Sequence, residues 1–181
     1  MKNNFILFSL LILFVSCKES EARRPILQKT TNNYQQLVVN NKSLNKLEEK
    51  KINDLIVKDS THIYYTSPNG FWYFYNKKIT KDTITPKIND IVSLKYSITD
   101  LEGNIIYSEK ELGLKSYVVD KEDFITALQT GIKLMHKGET ITFVIPSYNA
   151  FGITGDGNRI GVNQSIISKV TLIDIIKTSK K

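Results

Sequence analysis

Ile141, Phe143 and Ile145 alternate with Thr140, Thr142 and Val144. That is the period of a strand with one face buried. Pro146 cannot donate to a sheet ladder, so the strand is predicted to end there. Ser147 to Asn149 reads as a loop. Ala150-Phe151-Gly152 follows, an aromatic ring ahead of a permissive glycine. Two readings fit this stretch: a core strand followed by a turn, or a strand that carries an aromatic to a pocket wall. The same period recurs from Asp90 to Asp100, with Val92, Leu94, Tyr96 and Ile98 on one face and Ser93, Lys95, Ser97 and Thr99 on the other. Asp100-Leu-Glu-Gly-Asn104 is hairpin-turn chemistry, and Ile105-Ile-Tyr107 returns as the next strand. Ile63-Tyr-Tyr65 and Phe71-Trp-Tyr-Phe-Tyr75 flank a turn containing Pro68 and Gly70. Tyr117-Val-Val119 is a further short strand, and the last runs from Ile166 to Ile176.

Two segments carry helical spacing instead. Over residues 43–59, Leu44, Leu47, Ile52, Leu55 and Ile56 form an apolar stripe, with Ser43 as the N-cap and lysines and glutamates opposite. This helix either packs on the domain or serves as a dimerisation or partner helix. It precedes every strand, so the fold is expected to survive without it. Phe124, Ile125, Leu128 and Ile132 lie on one side of a short helix, capped by Asp120 or Asp123 and broken at Gly131 or Gly138. About six short strands, one embedded helix, many hairpins and no βαβ alternation define an α+β class, an antiparallel sheet covering one helix.

The N-terminus has a different character. A lysine, the apolar run from Phe5 to Val15 and then Ser16-Cys17 describe a secretory signal over residues 1–16. The run is too short to span a bilayer as a helix. Phe14-Val15-Ser16-Cys17 resembles a bacterial lipobox, with phenylalanine where leucine is usual, and makes Cys17 the candidate lipidation site. An ordinary signal followed by a chance cysteine is the alternative. Residues 17–42 are polar and rich in Asn and Gln, and read as a tether. As a flexible coil it would reach roughly 25–30 Å.

Charge and composition narrow the function. The 181 residues carry 25 Lys+Arg against 18 Asp+Glu, a net charge of +7. The lysines are scattered and no arginine stripe forms, so nucleic-acid binding is not indicated; a weak affinity for anionic lipid suits the charge equally well. The lone cysteine excludes an intrachain disulfide. With two histidines, His62 and His136, and no Cys-x-x-Cys, a zinc site is not expected. Neither a P-loop nor Gly-x-Ser-x-Gly is present, and no carboxylate pair stands out. Asp156-Gly-Asn158 lacks the acidic spacing of an EF-hand and reads as a turn. Nothing implies a cofactor, and nucleophilic catalysis has no support.

Taken in order, Asp90-Ile-Val-x-Leu-x-Tyr96, Gly103-Asn-Ile-Ile-Tyr107, Asp123-Phe-Ile125, Gly131-Ile-x-x-Met135, Gly138-Glu, Ile145-Pro-x-x-x-Ala-Phe-Gly152 and Val170-x-Leu-x-Asp-Ile175 resemble the FKBP-type peptidyl-prolyl isomerases. The resemblance covers residues 60–178. With the lipobox, the whole chain looks like the isomerase lipoproteins associated with gliding motility in Bacteroidetes. It implies a half-wrapped antiparallel sheet around one short helix, with an apolar pocket between them. Residue by residue, it carries the family's site to Tyr96, Ile106, Tyr107, Phe124, Ile125, Leu128, Phe151 and Ile160. The Ile125 backbone N–H is the expected anchor for a bound carbonyl.

Several positions depart from the family. Its pocket aspartate matches Tyr107, its floor tryptophan Leu128 and its loop tyrosine Phe151. Ser168 stands where the last strand often has a pocket phenylalanine. The resemblance implies a membrane-anchored, extracytoplasmic isomerase, in the periplasm or at the outer membrane, acting on proline-containing segments of exported proteins. A catalytically weak or inactive chaperone or binding module with the same pocket is the alternative.

Overall fold

The computed structural model describes residues 31–81 and 84–178. The expected signal sequence and the candidate lipidation site at Cys17 lie outside the described residues, as does the expected tether up to residue 30. The chain divides into two units at Gln36; of the first, the described part is the opening of one helix, and everything from Leu37 onward forms the second.

Helix α1 runs Thr31–Lys58. It starts twelve residues ahead of the predicted N-cap, so residues 31–42 are helical where a tether was expected. Ser43 is not a cap: its hydroxyl donates back to the Asn40 carbonyl, the usual outlet for a serine inside a helix. The stripe divides as well. Ile52 is buried, whereas Leu44 and Leu47 are exposed.

Seven antiparallel strands follow: β1 Tyr65–Ser67, β2 Phe71–Lys77, β3 Ile91–Thr99, β4 Ile105–Tyr107, β5 Lys115–Val118, β6 Thr140–Ile145 and β7 Ile166–Ile176. The order across the sheet is β1-β2-β6-β7-β3-β4, with β5 also paired to β3. The predicted first strand is displaced: residues 63 and 64 precede it, and Tyr64 instead donates its hydroxyl to Asp59. Asp100 closes the β3–β4 turn as expected, its carboxylate accepting the Asn104 N–H and its own N–H reaching the Asn104 carbonyl.

A four-residue helix, α2 Glu109–Leu112, links β4 to β5, and α3 Thr126–Gly131 packs on the sheet. Neither predicted aspartate caps α3. Asp120 sits at a positive φ of 59° and holds the Lys133 ammonium, and Asp123 is exposed; Ile125 occupies the cap position without a side-chain hydrogen bond. Phe124 and Ile125 therefore precede the helix. At Gly131 a Cβ would lie 2.5 Å from Phe143, so glycine allows the close helix–sheet approach.

The main core gathers Phe71, Val92, Leu94, Leu128, Phe143 and Val170 between sheet and helix. Strand β6 alternates in sequence, yet Thr142 and Val144 on its second face are buried too. Cross-strand register places Phe74 beside Thr142 and Trp72 beside Val144. Ile52, Phe74 and Val144 are buried outside the main core cluster. Helix α1 is fastened to the domain by Glu48, whose carboxylate accepts hydrogen bonds from the Ser147 N–H, the Ser147 hydroxyl and the Ser165 hydroxyl. The helix expected to be dispensable is bonded directly to the loop that follows β6.

Candidate active site

A cavity of about 440 Å³ opens between the sheet, α2 and the loops on either side of α3 and after β6. Its size suits a small apolar ligand or a short peptide segment. Alternation on β3 turns Tyr96 and Ile98 to the concave face, and β4 contributes Tyr107. The turn into α3 supplies Asp123, Phe124 and Ile125; the loop after β6 supplies Ala150, Phe151 and Asp156. Of the eight residues the resemblance nominates, Tyr96, Tyr107, Phe124, Ile125 and Phe151 meet at this cavity.

Three do not line it. Leu128 and Ile160 are buried in the core. Ile106 packs partly against the core, and its carbonyl accepts the Arg159 guanidinium at 2.9 Å. Ser168 is also buried off the cavity, its hydroxyl donating to the Ser97 carbonyl within the sheet.

Aromatic contacts set the wall. The Phe124 ring meets Tyr96 edge-on at 5.4 Å and tilts over Tyr117 at 5.3 Å. Burial pushes the Tyr96 hydroxyl's pKa up, so it remains a neutral donor at physiological pH. Among the described residues, no acceptor takes either the Tyr96 hydroxyl or the Ile125 N–H. An apolar cavity thus carries two uncommitted neutral donors.

Tyr107 stands where the resemblance led to a family aspartate, but a carboxylate still reaches the cavity. The Tyr107 hydroxyl donates to Asp156 Oδ2 at 2.5 Å, and Asp156 Oδ1 accepts the N–H groups of Asn158 and Ile160. Desolvation pushes the Asp156 carboxyl up; the bonds from Tyr107 and the backbone outweigh it and leave its pKa lowered. Tyr107 is raised in turn, chiefly by its bond to Asp156. The Arg159 guanidinium lies 4.8 Å from the Tyr107 ring and pairs with Glu111 at 2.5 Å, joining the loop to α2. Gly155 makes the loop's tight return possible: its φ is +67°, and a Cβ there would lie 2.3 Å from the Ile160 carbonyl oxygen. Sequence reasoning found the turn at Asp156 but not its place in the cavity, and it missed Ile98, Leu112 and Ala150 as lining residues.

A family profile described as FKBP-type peptidyl-prolyl cis-trans isomerase matches residues 82–173. The chain is 30% identical over 112 residues to a probable FKBP-type peptidyl-prolyl cis-trans isomerase FkpA of Neisseria meningitidis serogroup B, covering 61% of this chain and 39% of that protein. It is 28% identical over 94 residues to the outer membrane protein MIP of Legionella longbeachae, covering 52% of this chain and 40% of that protein. It therefore spans about two fifths of the length of these curated relatives. Among solved structures, a peptidyl-prolyl cis-trans isomerase from Pseudomonas syringae pv. tomato shares the fold, with a TM-score of 0.60 at 18% identity over 75% of this chain and 96% of that one. FkpA from Escherichia coli shares it with a TM-score of 0.61 at 22% identity, over 99% of this chain and 84% of that one. No described helix is long and apolar enough to cross a membrane. With half its length matched by the profile, and an antiparallel sheet wrapped on one short helix like those of its structural neighbours, the chain belongs to the FKBP-type peptidyl-prolyl cis-trans isomerase family.

Proposed function

We propose that this chain is a lipid-anchored, extracytoplasmic prolyl isomerase that assists the folding of exported proteins, of the kind associated with gliding motility. The observation that carries the catalytic part is the cavity itself: apolar walls around the uncommitted Ile125 N–H and Tyr96 hydroxyl. Rotation about an X–Pro bond is slow because amide resonance holds the bond planar, with a barrier of about 18–20 kcal/mol for peptide bonds. No nucleophile is needed to lower it. An apolar surround disfavours the charge-separated planar amide, and neutral donors hold the carbonyl while the bond twists. Each tenfold gain in rate needs about 1.4 kcal/mol of preferential binding to the twisted form.

The anchor rests on the lipobox and Cys17. One lipid chain binds a membrane only marginally, so stable anchoring requires a second signal, either a further acyl chain or basic residues that meet anionic lipid. Expression of the full chain and of Cys17→Ser, followed by membrane fractionation and a proline-limited refolding assay, tests both parts. Wild type should sediment with membranes and accelerate refolding; Cys17→Ser should be released yet equally active. Membrane association unchanged by the substitution would contradict the anchor. An absence of acceleration in both would leave the binding-module reading.

A further inference from the structure

The polar part of the cavity wall is negative on a chain whose net charge is +7. Asp156 and Asp123 both line it, from loops on opposite sides of α3 in the sequence. Asp156 is held by neutral donors only: the Tyr107 hydroxyl and the backbone N–H groups of Asn158 and Ile160. The guanidinium nearest this network, Arg159, bonds to Glu111 at 2.5 Å and reaches Asp156 only through space, as the weakest of its charge interactions. Asp123 has neither an ion-pair nor a hydrogen-bond partner among the described residues. Lys115, with its ammonium 6.0 Å from the Phe124 ring, offsets part of this charge.

A carboxylate fixed by neutral donors keeps its charge available to a ligand, and a half-enclosed apolar wall screens it less than open water does. We infer that Asp156, positioned by Tyr107 and assisted by Asp123, is a specificity determinant that favours prolyl segments with a lysine or arginine beside the proline. This inference rests on the isomerase reading of the same cavity. Arginine and lysine both supply donors to a carboxylate oxygen, and their aliphatic stems suit the apolar wall formed by Leu112 and Phe151. A glutamate at the same place would meet like charge.

The experiment compares kcat/KM for prolyl peptides that differ only in the residue before or after proline: lysine, leucine or glutamate. Each is measured with the full-length wild type, Asp156→Asn, Asp123→Asn, the Asp123→Asn/Asp156→Asn double variant and Tyr107→Phe. Because each variant is scored by its own lysine-to-glutamate ratio, a general loss of folded protein cancels. Wild type should favour lysine over glutamate by about five- to tenfold at low salt, on one side of the proline, with the ratio shrinking as salt rises. Asp156→Asn should bring the ratio close to that expected from Asp123 alone, and the double variant should abolish it. Tyr107→Phe should lower it less, since it frees the carboxylate without removing its charge. Acceleration of all peptides without charge preference, or a preference that persists in the double variant, would overturn the inference while leaving the isomerase reading intact. No acceleration of any peptide would overturn both.

Discussion

Glu48 and Ser147 are joined twice. One carboxylate oxygen of Glu48 accepts the Ser147 N–H and the other accepts its hydroxyl, both at 2.7 Å. Ser147 opens the short turn Ser147–Asn149, and Ala150 and Phe151 of the cavity wall come directly after it. A helix that precedes the whole sheet thus fixes the start of a loop at the site.

Removing that carboxylate leaves buried Ser147 and Ser165 donors unsatisfied. Glu48→Ala should therefore cost about 2–4 kcal/mol in equilibrium unfolding, given roughly 1–3 kcal/mol for each unsatisfied buried group and incomplete additivity. Ile52→Ala should cost about 2–4 kcal/mol by cavity creation. Leu47→Ala, exposed on the same helix, should stay within about 0.5 kcal/mol of wild type. Equal stability for all three variants would show that α1 is not part of the cooperative unit.

Acid should weaken the fold through Asp90. Burial pushes its carboxyl up, but the Lys177 ammonium and the N–H groups of Lys87 and Thr178 outweigh this and hold it below its ordinary value. The folded state then binds this proton less readily than the unfolded chain. The resulting stability is fully present above the unfolded value near ~3.9 and is lost as pH falls from there through the folded value. Denaturant melts between pH 7 and pH 2 should show this loss, and Asp90→Asn should be less stable than wild type at pH 7 with a shallower decline below about pH 4. An unchanged acid slope would show that Asp90 is not the group whose protonation weakens the fold.

The strands were legible in the sequence because period-two alternation is a local signal: Val92, Leu94 and Ile98 are buried on β3 as their spacing requires. The start of α1 was not, since Asn and Gln dominate its first turns and Leu37 and Val39 leave their apolar surface exposed, so no stripe marks it. Asp123 looked like a cap because aspartate before an apolar run usually is one; here Ile125 takes that position and Asp123 faces the cavity opening. Asp156 escaped for another reason. Its turn is local, but its partner Tyr107 lies 49 residues earlier, a distance no periodicity spans.

Phe151 offers a gain rather than a loss. It lines the cavity without a hydroxyl, so Phe151→Tyr adds one donor to an apolar wall. A hydrogen bond there contributes about 0.5–1.5 kcal/mol net. Formed preferentially with the twisted amide, it should raise kcat/KM roughly two- to tenfold in a prolyl-peptide assay. An unchanged value would mean that position 151 lies out of reach of the reacting carbonyl.

If this cavity performs the isomerisation, the Ile125 N–H should be indispensable to it. Ile125 already has φ of −54°, close to that of proline, and it sits at the cap of α3, where a missing N–H breaks no helical bond. Ile125→Pro therefore deletes the anchor N–H with little demand on the backbone, and Ile125→Val keeps the N–H while trimming the side chain. The measurement is kcat/KM for a prolyl peptide with wild type and both variants, each first shown to unfold cooperatively. Ile125→Val should stay within about threefold of wild type and Ile125→Pro should fall at least tenfold, a loss of about 1.4 kcal/mol or more in transition-state stabilisation. Equal activity of Ile125→Pro and Ile125→Val would contradict that role of the cavity.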